Sequence, residues 1–70
     1  MQTLVFNTTT KQVKLYEGEA EYSKILFHFS NVPTVKVLES TYEVMVKDEF
    51  EKSYPTLRVP ISNTNMLIER

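Results

Sequence analysis

Apolar residues recur at every second position in a series of short runs: Val13 and Leu15; Ile25, Phe27 and Phe29; Val35 and Val37; Tyr42, Val44 and Val46; Leu57, Val59 and Ile61. Period two is the spacing of one face of a β-strand, so each run offers one side to a core and the other to water. The densest run is Tyr22 to Ser30. There Ser23, Ile25, Phe27 and Phe29 point one way, and Tyr22, Lys24, Leu26, His28 and Ser30 the other. One apolar face with a mixed back predicts a central strand.

The connections between runs are built from turn residues. A first strand through Leu4, Val5 and Phe6 ends at Asn7, whose side chain is suited to accept from the backbone two residues on, so residues 7–11 read as a hairpin turn before Gln12 to Tyr16 returns. Residues 17–21 hold three glutamates and the only glycine, which is expected to take a conformation other residues avoid. Asn31, Val32 and Pro33 punctuate the chain before Thr34 to Glu39 alternates again.

Residues 40–54 support two readings. Ser40 with Glu43 has the form of a capping box, and Tyr42, Val46, Phe50 and Tyr54 recur every four residues, which predicts a short helix within 40–54 and an α+β fold. Thr41 to Val46 is rich in β-formers and alternates, which predicts a strand through Lys47 followed by a charged loop or single helical turn. The strand is favoured. Pro60 within the next run argues for an edge strand, residues 62–65 for a turn, and Met66 to Ile68 for a last strand. The expected fold is one mainly β domain over residues 1–70, a small antiparallel meander or barrel-like sheet of six or seven short strands.

Seventy residues bury only about 60% of the surface of the unfolded chain. The absence of cysteine rules out disulfides and thiolate metal sites, leaving good packing or self-association to stabilise the fold. Open sheet edges would pair with another copy, so a homo-oligomer is expected. The amino terminus lacks the features of a secretory signal and no run reaches membrane-spanning length, so the expectation is a cytoplasmic protein without a membrane partner. A net charge of −1 counts against sequence-independent binding of duplex nucleic acid. A single-strand binder would use Tyr22, Phe27, Phe29 and Tyr42 as stacking rings with Lys14, Lys24 and Lys36 nearby. Phe27 and Phe29, however, lie on the most apolar face, where a core is the default.

No constellation for catalysis emerges. His28 is the only histidine and has no accompanying nucleophile or metal-ligand spacing, so no catalytic residue, metal or cofactor is expected and the chain does not read as an enzyme. Glu17, Glu19 and Glu21, like Asp48, Glu49 and Glu51, lack the spacing and glycine of a calcium loop. The most distinctive polar stretch runs from Tyr54 to Asn65. Arg58 could fork onto a carboxylate or phosphate, and Asn63 and Asn65 offer amides beside it, so Tyr54, Arg58, Asn63 and Asn65 are the candidate binding residues. They would form one wall of an anion, nucleotide or peptide site completed by a second subunit. The competing reading is turn chemistry at residues 62–65 and an arginine guarding an edge.

Short, cysteine-free, mildly acidic and without catalytic motifs, the chain resembles the accessory proteins encoded by bacteriophages and related mobile elements, which are expected to be complete at this length. That resemblance implies a protein that acts by binding, either blocking a host protein or capturing a small molecule. The leading expectation is an intracellular interaction module that modulates a host protein. The alternatives are a homo-oligomer that sequesters a nucleotide or other anion, and a single-strand nucleic-acid binder.

Overall fold

The computed structural model describes residues 1–19 and 23–70. Its strands are β1 (Gln2–Asn7), β2 (Gln12–Tyr16), β3 (Ile25–Phe29), β4 (Val35–Val37), β5 (Thr41–Lys47), β6 (Ser53–Pro60) and β7 (Thr64–Glu69), with one 3-10 turn at Ile61–Asn63. The fold is mainly β, as the alternation predicts. Among the described residues no helix is long and apolar enough to cross a membrane.

The strands form two sheets. One is ordered β3-β2-β1-β7, the other β4-β5-β6. Each contains a run of antiparallel neighbours, but β7 pairs parallel to β1, from Gln2 opposite Thr64 to Asn7 opposite Glu69. Parallel strands need a long crossover, and here nearly the whole chain between the two termini supplies it. The sheets do not close into a barrel, because β3 and β4, the free edges on one flank, do not pair.

Local chemistry accounts for the connections. Asn7 Oδ1 accepts from the amides of Thr9 at 2.9 Å and Thr10 at 3.0 Å, and Lys11 completes the β1–β2 turn at φ 59°. The β4–β5 hairpin closes where the Leu38 amide donates to the Thr41 carbonyl at 2.8 Å. At residues 31–34 the chain passes from one sheet to the other: the Val32 amide donates to the Lys11 carbonyl at 2.9 Å, while the carbonyls of Asn31 and Thr34 accept from Lys47 and Met45 of β5. This corner ties an edge of one sheet to an edge of the next, and Val32 is fully buried at it.

The core lies between the sheets. Leu4, Phe6, Val13 and Leu15 meet Val32, Val35, Val44 and Val59, with Phe29, Tyr42, Val46, Leu57 and Met66 packed around them. These are the alternating positions, one per pleat.

The structure corrects the sequence expectations for β3 and Gly18, and it decides residues 40–54 for the favoured strand. β3 is an edge strand, and the strands with neighbours on both sides are β1, β2 and β5. Apolar density marked β3 as central, but burial depends on what packs opposite, and much of β3 has no cover. Its faces also differ from strict alternation. A bulge sets Ile25 opposite Tyr16 while Phe27 stands opposite Leu15, so Ile25 joins the outer face instead of sharing the core face with Phe27 and Phe29. Residues 40–54 hold no helix: Thr41–Lys47 is a strand, and Glu43, instead of capping a helix, bonds across the sheet. Finally, Gly18 does not have a positive φ. A Cβ there would meet only the rotatable Ser23 side chain, its Oγ at 2.8 Å, and the Gly18 carbonyl accepts the Thr3 hydroxyl at 2.6 Å. Glu21 and Tyr22 lie outside the described residues.

Candidate functional site

Arg58 sits on β6 between Leu57 and Val59, which face the core, so its side chain emerges on the outer face of the second sheet. There Lys36, Glu43 and Arg58 form one cross-strand row. Arg58 Nε donates to Glu43 Oε2 at 2.5 Å, with side-chain exposures of 65% and 8%. A carboxylate this buried needs a charged donor, and Arg58 provides it.

The other candidate residues lie elsewhere. Asn63 is exposed at the end of the 3-10 turn. Asn65 pairs with Thr3 on β7, between Thr64 and the core-packed Met66, and so emerges on the outer face of the first sheet, on the opposite side of the core from Arg58. Tyr54 pairs with Val46 at the far end of β6. The four residues therefore do not converge on one wall, and Arg58 is already engaged.

A different feature, which sequence reading passed over, brings polar groups together by the loop after β5. Asp48 Oδ1 accepts from the amides of Phe50 and Lys52, both at 2.9 Å, while the Asp48 amide donates to the Lys52 carbonyl at 2.9 Å and the Glu51 amide to the Asp48 carbonyl at 3.1 Å. The Lys52 amide above all, against an opposing effect of burial and with help from the Tyr54 hydroxyl and the Phe50 amide, holds the Asp48 carboxyl below its ordinary value. Lys47 and Glu51 form an ion pair at 3.6 Å across the same loop. Phe50, at its apex, is 74% exposed. A loop stitched this tightly holds an aromatic ring out into solvent.

Beside the loop is an open groove of about 560 Å³, lined by Lys11, Asn31, Val32, Pro33, Lys47, Asp48, Glu49 and Glu51. All three non-glycine residues with positive φ among the described residues, Lys11, Asn31 and Glu51, border it. Left-handed backbone costs roughly 1–2 kcal/mol per residue without glycine, so three turns meeting here carry strain that the surrounding packing sustains. The groove mixes two lysines with three carboxylates. Among the described residues no group of three or more His, Cys, Asp or Glu side chains is placed to hold a metal ion. His28, on β3, is exposed and opposite Lys14.

Compared with family models, curated proteins and solved structures, the chain has no match.

Proposed function

We propose that the protein is a non-catalytic interaction module that binds and modulates a partner protein, and that the Asp48-tied loop is its contact element. The observation that carries this reading is Phe50, an almost bare aromatic side chain on a loop braced by four backbone and side-chain bonds. Binding energy concentrates in a few aromatic anchors that enter a partner's pocket, and an anchor already held in position loses less entropy when it docks. Glu49 and Glu51 beside it favour a pocket with a basic rim. The resemblance to phage accessory proteins, which implies either blocking a host protein or capturing a small molecule, is compatible with this reading.

The test places a photo-crosslinking amino acid at position 50 and, as a control, at position 19 in the exposed turn after β2. The expected result is one covalent adduct with a host protein from position 50 only, competed by added unmodified protein and not by Phe50→Ala. An adduct pattern equal at both positions refutes the reading.

A further inference from the structure

Both sheets lose their cover in the same direction. From β1 through β2 to β3, Leu4, Leu15 and Phe27 stand in one cross-strand row whose exposure is 0%, 1% and 48%. In the second sheet the row Val59, Tyr42 and Val37 ends on a Val37 that is 67% exposed. β3 and β4 diverge from the shared corner at residues 30–34, so the two bare row ends border one flank, where Leu38 is also exposed. The core is left open along this side.

The backbone of β3 is open there too. Its outer edge has no strand partner among the described residues. An unpaired edge is a template for another strand. β6 is protected by Pro55 and Pro60, which cannot donate, and β4 has only three residues with Lys36 at its middle. The competing edge is β7, with Leu67 and Ile68 exposed.

We propose that a second copy of this chain covers the flank, the two β3 strands pairing antiparallel about a two-fold axis at His28. Residues directly opposite in a ladder share a face, so a symmetric pairing keeps core face beside core face only when odd numbers meet odd and even meet even. An axis at Phe27 satisfies this but draws the bulge at Ile25 and Leu26 into the ladder. An axis at His28 uses the regular part of the strand. It sets Phe27 of each copy opposite Phe29 of the other, twice, on the core face.

Within one chain these two rings already stack, with centroids 6.0 Å apart and planes 9° from parallel. The pairing therefore brings two stacked phenylalanine pairs together on the core face. It places Leu26 opposite Ser30, and the ladder ends there, because Asn31 leaves the strand with a positive φ and Val32 is buried at the corner. A standard interface takes about 800 Å² from each partner, and a five-residue edge with two flanking side chains supplies roughly half of that. The dimer is accordingly a weak one that forms with rising concentration.

Sedimentation velocity over a range of protein concentrations tests the proposal, together with cysteine crosslinking, for which the cysteine-free chain is a clean background. The wild-type chain is expected to pass from monomer to dimer. Phe27→Lys and, separately, Val37→Lys should weaken the dissociation constant at least ten-fold with unchanged circular dichroism. His28→Cys should give a covalent dimer on mild oxidation, and Leu67→Cys should not. A chain that stays monomeric throughout, or a dimer crosslinked by Leu67→Cys and not by His28→Cys, overturns the proposal. Neither outcome bears on Phe50.

Discussion

Arg58→Ala is the substitution whose effect the structure specifies most closely. The arginine is 65% exposed, so its loss removes little buried surface; what it leaves behind is Glu43, whose side chain is only 8% exposed. Breaking a fully buried ion pair costs roughly 3–5 kcal/mol, because the surviving charge is stranded. Here the exposed side of the pair is screened by water, and Lys36 stands opposite Glu43 on the other neighbouring strand, so the cost falls to about 1–2 kcal/mol. For a chain of 70 residues that is a fall in Tm of roughly 4–16 °C. The assay is urea unfolding of Arg58→Ala, Glu43→Gln and the double variant. With the carboxylate already neutral, loss of Arg58 should cost little more, giving a coupling energy of about 1 kcal/mol. Arg58→Ala within about 0.3 kcal/mol of wild type, or strict additivity of the two changes, would refute the reasoning and return Arg58 to the list of residues free to hold a ligand.

Two buried threonines should respond in opposite directions. Thr3 donates to the Gly18 carbonyl, so Thr3→Val should destabilise by about 1 kcal/mol. Among the described residues Thr64 Oγ1 is buried without a partner, so Thr64→Val should stabilise by about 1 kcal/mol, both read as shifts in the denaturant midpoint. Gly18→Ala should be tolerated within about 0.5 kcal/mol, because Gly18 has no positive φ and the Ser23 hydroxyl can turn to another rotamer; a loss well above that would place strain in the backbone. The Asp48 loop should loosen in acid. Its carboxyl titrates lower in the folded than in the unfolded chain, so its bracing is complete above the ordinary carboxylate range and is lost as pH falls through the depressed value. Amide protection at Phe50 and Lys52 should fall over that window and not in Asp48→Asn, which keeps an acceptor but cannot titrate.

Much of the architecture is legible in single residues. Val13 and Leu15, Val44 and Val46, and Leu57 and Val59 announce their strands by alternation and do turn their side chains to the core. Asn7 announces its turn, and Pro60 its edge. The candidate binding residues were harder to read. Tyr54, Arg58, Asn63 and Asn65 are near one another in sequence, yet β6 and β7 belong to different sheets, so Arg58 and Asn65 emerge on opposite sides of the molecule. Phe50 falls in the stretch read as a charged loop or single helical turn, but nothing local says that Asp48 braces that loop and holds the ring in solvent.

The sequence by itself determined the class of fold, because side-chain alternation is a local property: a strand's two faces are set by the period of its own residues. It also determined the β1–β2 turn, where the Asn7 side chain bonds to backbone two and three residues on. Only the tertiary structure decided which strands lie inside, that β7 returns parallel to β1, that Glu43 takes Arg58 as its partner, and that the flank between β3 and β4 stays open. Each of these depends on residues distant in the chain arriving at one place, and alternation tells a strand which face to bury without telling it what will cover that face.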